Sequence, residues 1–253
     1  MNKWRKRLAT WDAQQDLYRP DREHALEAMT EALASALPIE QPRVLVVACG
    51  CGAVTGRILN ALPSARVVGV DRDPVLLRIA REIWAGDPRV AFEQADLRDG
   101  AWWARHGVGQ FDAVVTAAST HWFAPDDLSG LYRAIATSLR RGGLFANLDW
   151  IPIAGAPELL RLSDAYVQDR ERRLISEREG QVSPWSEWWA QTLADPDLAA
   201  EAMERSAMDA PRSAEHFADE EWHRSELIAA GFAEAGVIWR SFSSAVMVAK
   251  RRD

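Results

Sequence analysis

Five short apolar runs punctuate the middle of the chain, at 44–48, 66–71, 90–93, 111–116 and 144–148. They are not strictly alternating, so both faces of each strand expect cover. Stretches of helical spacing lie between them, at 53–62, from Asp73-Pro74 onward, at 100–106 and at 125–139. Asp73 reads as a helix N-cap and Pro74 as the first helical residue, where no backbone N–H is needed. Strands that alternate with helices in this way predict a parallel sheet with helices on both faces.

The ends of the chain behave differently. Residues 4–37 read as two helices broken at Arg19-Pro20, the second with Ala25, Leu26, Met29, Leu33 and Leu37 on one buried stripe. Near the C-terminus a helix at 220–230 stops at Gly231, and two β-rich runs follow at 232–240 and 244–250. The Ser-Phe-Ser connection between them is too short for a crossover, so they form an antiparallel hairpin. The expected fold class is α/β: a doubly wound, mostly parallel, seven-stranded Rossmann-like sheet with one antiparallel strand near the edge. Residues 151–219 are helical in pattern and no strand needs them, so they are expected as a helical cap inserted into a core of 43–150 and 220–253, behind N-terminal helices at 1–42. Nothing in the pattern splits 1–253 into two domains.

Composition sets limits on partners. The 253 residues are 48% hydrophobic and 26% charged, enough for a large core. With 37 acids against 30 bases the net charge is −7, and the one basic cluster is MNKWRKR at the start. A face that grips nucleic-acid phosphates is basic, so nucleic acid is not an expected partner. No apolar run approaches twenty residues, so no membrane is expected and the expected location is the cytoplasm. Cys49 and Cys51 flank Gly50 with no histidine nearby, and they read as small turn residues, with no metal site expected.

The chemistry begins at 44–60, VLVVACGCGAVTGRILN. A strand enters a turn carrying Gly50 and Gly52, a helix leaves it, and the next strand ends on Asp71, nineteen residues after Gly52. Glycines let the backbone turn sharply and approach a ligand, and a helix start offers N–H groups and a positive dipole end. An acid at the end of the second strand can accept hydrogen bonds from both hydroxyls of a ribose.

At these residues the chain resembles the class I S-adenosylmethionine-dependent methyltransferases of the small-molecule type. The turn Val46-Val-Ala48-Cys-Gly50-Cys-Gly52 stands where the family carries an acid, then three alternating glycines. Phe92-Glu-Gln-Ala-Asp96-Leu97, Phe111-Asp112, the Leu139-Arg-Arg-Gly-Gly143 turn and the terminal hairpin after Ala230-Gly-Phe232 also match, across 44–150 and 220–250. The resemblance implies S-adenosylmethionine as cofactor, with Ala48, Gly50, Gly52, Asp71, Arg72, Asp96, Leu97 and Ala117 around it. Tyr18 would close over it from the N-terminal side. Val46 and Ala48 depart from the pattern and remove a carboxylate partner of the methionine ammonium. They keep open a protein of this fold that binds the cofactor for non-methyl chemistry or a structural role. A nicotinamide-dependent oxidoreductase is a second alternative, but its third glycine would stand at Thr55.

In the resembled family the acceptor sits beyond the fourth strand, here Thr116-Ala-Ala-Ser-Thr-His121-Trp122-Phe123. His121 is the candidate general base, since imidazole titrates near neutrality, with a loop-ordering role as the alternative. His216 is a second candidate, while His24, His106 and His223 read as solvated on surface helices. The Asn/Asp-Pro-Pro-aromatic loop of enzymes that methylate adenine or glutamine amino groups is absent. Trp122, Trp150 and Trp185 suit a flat acceptor, with Trp188 and Trp189 divided between that wall and cap packing. The expected function is methyl transfer to a small aromatic or apolar metabolite, on oxygen rather than nitrogen or carbon because of His121. The cap would select that acceptor and exclude water. A homodimer is left open.

Overall fold

The computed structural model describes residues 2–19, 21–37, 39–106, 109–178, 180, 182–208 and 215–253. Helices α1 (Lys3–Tyr18) and α2 (Arg22–Ala36) precede an alternating core: β1 (Arg43–Val47), α3 (Ala53–Ala61), β2 (Arg66–Asp71), α4 (Pro74–Ile83), β3 (Val90–Gln94) and α5 (Gly100–His106). It continues with β4 (Phe111–Ala117), α6 (Pro125–Ser138) and β5 (Leu139–Trp150). Helices α7 (Pro157–Glu177), α8 (Trp185–Leu193) and α9 (Ala199–Ala207) follow, then α10 (Glu220–Ala230), β6 (Phe232–Ser241) and β7 (Ser244–Arg251).

The seven strands run in the order β3-β2-β1-β4-β5-β7-β6. Every pair from β3 to β5 is parallel, and β7 is antiparallel to both β5 and β6. The expected antiparallel strand is therefore one place in from the edge. The chain winds outward from β1 in one direction and from β4 in the other. That reversal opens a crevice above their carboxyl ends.

Strand β1 is buried on both faces, as an uninterrupted apolar run requires. Val44 and Val46 pack with the α2 stripe of Ala25, Leu26, Met29, Leu33 and Leu37. Leu45 and Val47 face Trp102, Tyr132 and Phe145 on the other side. Asp73 caps α4 as predicted, its Oδ1 accepting from the N–H groups of Val75 and Leu76 at 3.0 and 3.2 Å.

Two expectations are corrected, the start of the fifth strand and the exposure of His223. Strand β5 begins at Leu139, not at 144, because the double glycine makes an irregularity inside the strand, with Gly142 at φ +68° and a register shift opposite Phe111–Ala113. The cap lies against the flank of the sheet: Trp188, Trp189 and Leu198 pack with Val75, Leu76, Ile79 and Ile83 of α4, beside Trp4, Leu8 and Trp11 of α1. Ion pairs fasten it there, with Arg7 on Asp195 at 2.8 Å and Arg78 on Glu201 at 3.0 Å. His223 is buried, because the α10 face it shares with Leu227 turns inward. Its Nδ1 lies 2.6 Å from the Tyr132 hydroxyl, and burial pushes its pKa down to about 4, so the ring is neutral. His106 is half-buried, 3.0 Å from Glu93, and His24 is exposed.

Candidate active site

A cavity of about 390 Å³ opens above the carboxyl ends of β1, β2 and β4. Ala48, Cys49 and Gly50 border it, with Ala53 and Val54 from the first turn of α3. Ala48, Gly50 and Gly52 all take left-handed φ values, +52°, +54° and +83°. A Cβ in that region costs about 1–2 kcal/mol, and Ala48 carries one. Ala48→Gly removes the strain against the larger chain entropy of glycine, so a net gain of ~0.5–1 kcal/mol is expected. A thermal melt should rise by about 2 °C, and a fall would mean that the Ala48 methyl contributes packing worth more than the strain.

Gly52 itself does not line the cavity. A Cβ there would meet Trp84 Nε1 at 3.1 Å and Phe92 Cζ at 3.3 Å, so this glycine lets α3 approach α4 and β3. Both cysteines are buried, with thiol pKa values pushed up by burial, and they fit the small-residue reading.

Asp71 is buried at the end of β2, on the cavity wall. Its Oδ2 accepts from the Gly50 N–H at 2.8 Å and its Oδ1 from the Asp73 N–H at 2.9 Å. Burial pushes its pKa up to about 6, against the opposing pull of those N–H groups. Each oxygen keeps acceptor capacity beyond its one backbone partner. This pair of acceptor oxygens fits a ribose, whose two vicinal hydroxyls need acceptors. Arg72, Asp96, Leu97 and Ala117 also line the cavity. The Asp96 carboxylate is held by Arg98, with Nε at 2.9 Å and Nη2 at 2.5 Å, and this pairing lowers its pKa. Across the crevice, Thr116 Oγ1 donates to the Val47 carbonyl at 3.0 Å, so Ser119 Oγ at 2.5 Å donates to Thr116. Ser119 therefore offers acceptor lone pairs to the cavity it lines.

Other expected residues lie elsewhere. Tyr18 is off the wall, its hydroxyl accepting from the Trp185 N–H at 3.1 Å; Trp11 and Gln15, earlier on the same helix, line the cavity instead. Trp150 belongs to a separate small crevice with Tyr166 and Phe242, under the Arg19 guanidinium at 3.9 Å. Of the cap tryptophans, Trp185 and Trp189 join Trp122 on the wall, while buried Trp188 donates from Nε1 to Thr10 at 3.0 Å. His121 is buried and off the wall, with Nδ1 2.7 Å from Asp149 Oδ1 and its ring stacked on Phe217 at 5.7 Å. His216 is also off the wall, its N–H donating to the His121 carbonyl at 2.8 Å.

Asp149 explains that placement. Its Oδ2 accepts from the N–H groups of Ser119, Thr120 and His121 at 3.1, 2.7 and 3.3 Å and from Thr120 Oγ1 at 2.6 Å. Its Oδ1 takes His121, the Trp150 N–H at 2.8 Å and Arg19 Nη2 at 3.1 Å. Burial opposes its ionisation, but His121, Arg19 and Thr120 outweigh that and hold its carboxyl well below the usual carboxylate range. Arg22, paired with Asp12 at 2.9 Å, and Arg205 also line the cavity unforeseen. The one sequence signal for Asp149 is an acid closing the apolar run LFANLDW.

Residues 44–143 match a family profile described as a methyltransferase domain. The chain is 34% identical over 139 residues to trans-aconitate 2-methyltransferase of Azoarcus sp. (strain BH72), which covers 55% of this chain and 50% of that protein. It is 34% identical over 176 residues to the protein of the same name from Rhodopseudomonas palustris (strain BisB18), over 67% of this chain and 61% of that one. The matched stretches thus span about half to three fifths of these relatives. Human N-acetylserotonin methyltransferase in complex with S-adenosylmethionine shares the fold, with a TM-score of 0.58 at 14% identity, over 99% of this chain and 57% of that one.

Proposed function

The chain belongs to the class I S-adenosylmethionine-dependent methyltransferases, and on that premise we propose that it methylates a carboxylate oxygen of a small organic acid with a flat or apolar body. The cofactor, when bound, supplies a methyl group already activated on a sulfonium. Asp71 would hold the ribose, Asp96 and Leu97 the adenine side, and Ala48, Gly50 and Ser119 the methionine side. Residues 1–253 act as one cytoplasmic domain on this reading, with 151–219 inserted.

One observation carries the choice of acceptor. Among the described residues the cavity wall holds no imidazole, ammonium or phenol, and His121 is turned into Asp149. A carboxylate is ionised before it arrives, so alignment suffices and no proton has to be removed. Trp11, Trp122 and Trp185 offer its body an apolar wall, while Arg22 on the same wall is already paired with Asp12, Asp16 and Glu23. The Azoarcus and Rhodopseudomonas relatives are named for trans-aconitate, itself a carboxylate.

The test is methyl transfer across a panel of carboxylic acids, phenols and amines. Alkali-labile methyl esters should form from acids, at a rate flat between about pH 7 and 9, where the acceptor stays fully ionised. A preference for phenols or amines, with the rate rising with pH, would sink the carboxylate reading. Cofactor binding with no transfer to any acceptor would favour non-methyl chemistry. His121→Asn keeps a donor toward Asp149 and is expected to change kcat by less than about threefold. A loss of about a hundredfold would restore His121 as the base.

A further inference from the structure

We propose that Arg205, supplied by the inserted cap, is a cofactor-positioning residue that holds the adenosine half of the site together; this rests on reading the cavity as the S-adenosylmethionine site. Arg205 lies on α9, yet it lines the same cavity as Asp71 and Asp73. Its Nε–H donates to Asp73 Oδ2 at 2.6 Å, and its guanidinium lies 4.0 Å over the Trp189 ring. Asp73 in turn donates its N–H to Asp71 and caps α4 through its other carboxylate oxygen. The cap is thus one hydrogen-bonded residue away from the carboxylate that fits the ribose.

Four carboxylates, Asp71, Asp73, Asp96 and Asp127, line this wall. Asp96 has Arg98, and Asp73 has Arg205. Without Arg205, Asp73 would face buried Asp71 with its charge unpaired, and Asp71 would be harder to ionise. The planar guanidinium satisfies Asp73 and stacks on Trp189 at once, which a lysine ammonium cannot reproduce. The arrangement also answers the departure at Val46. That side chain is buried in the apolar layer with Val44, so the chain lacks the usual acid toward the methionine end. Arg205 strengthens the opposite end.

Isothermal titration with S-adenosylhomocysteine and with 5′-methylthioadenosine, which lacks the amino acid, tests the assignment. Arg205→Ala should weaken both ligands by the same factor, about tenfold, the loss of one charge-assisted contact. Arg205→Lys should recover less than half of that loss on a logarithmic scale. Arg78→Ala removes the neighbouring α9–α4 ion pair to Glu201, outside the cavity wall, and should leave both affinities within about twofold. Unchanged binding in Arg205→Ala would overturn the proposal. So would an equal loss in Arg78→Ala, because Arg205 would then only anchor the cap. If Arg205→Ala does not fold, Arg205→Met, which keeps an unbranched stem but no donor or charge toward Asp73, carries the same expectation. If the wild-type protein binds neither ligand, the cofactor reading of the cavity fails and this proposal falls with it.

Discussion

Asp71→Asn should weaken S-adenosylhomocysteine binding by about a hundredfold or more. Two ribose hydroxyls donating to an ionised carboxylate contribute about 1.5–3 kcal/mol each, and every 1.4 kcal/mol is tenfold in affinity. The substitution also turns an amide N–H toward the Gly50 or the Asp73 backbone N–H, both of which Asp71 now accepts. The wild-type protein carries an independent signature in pH. Folding raises the Asp71 pKa from 3.8 to about 6. A raised carboxylate pKa means that folding favours the protonated form, so this group's contribution to stability is greatest below about pH 4 and is lost as pH rises through 6. At neutral pH keeping this buried carboxyl charged costs about 3 kcal/mol, because a tenfold change in its acidity corresponds to about 1.4 kcal/mol. Cofactor binding runs the opposite way, because the hydroxyls donate to the charged form. Affinity should be full above about pH 7 and fall as pH drops through 6. Titration calorimetry between pH 5 and 8 reads this directly. A wild-type affinity flat across that range, or an Asp71→Asn protein that binds as tightly, would remove Asp71 from the cofactor site.

The sheet and its cofactor edge are legible in the sequence because their signals are local. Strand β2 and helix α10 fall at the residues expected from pattern alone, and Asp71 follows from strand length plus the position of the glycine turn. Ala48 is legible in the same way: the family pattern asks for a glycine, and the backbone there is left-handed. The acceptor side is not legible, because side-chain direction in a loop depends on partners far away in sequence. His121 turns away from the cavity toward Asp149, twenty-eight residues on, while Trp122 beside it stays on the wall. The family resemblance suggests Tyr18 for the site and a strand-end position suggests Trp150, but the fold gives them to Trp185 and Arg19. Arg205 meets Asp73 across 132 residues, and no periodicity carries that pairing. The cap's helical pattern is readable, but the flank it covers is not, since amphipathic spacing says that a face is buried and not against what.

That dependence on distant partners makes Asp149 the position with the largest expected effect on stability. Asp149→Asn keeps the shape and removes the charge, leaving Arg19 buried without its anionic partner and several N–H groups competing for one amide oxygen. Breaking a buried pair from one side costs about 3–5 kcal/mol, and in a chain of this size 1 kcal/mol moves the melting temperature by about 2–4 °C. A drop of roughly 10 °C is expected. The sign in pH is fixed as well. The folded carboxyl titrates below its unfolded value, so its contribution is fully present above about pH 4 and is lost as pH falls further. Wild type should therefore lose stability into acid more steeply than Asp149→Asn. Arg19→Met in the Asp149→Asn background removes the stranded cation and should recover part of the loss, giving a coupling of the sign a buried pair requires. An Asp149→Asn protein melting within about 3 °C of wild type would show that the 118–123 loop is held by its own packing. His121 would then be free to reorient toward the cavity, and the case for an acceptor that needs no base would lose its main support.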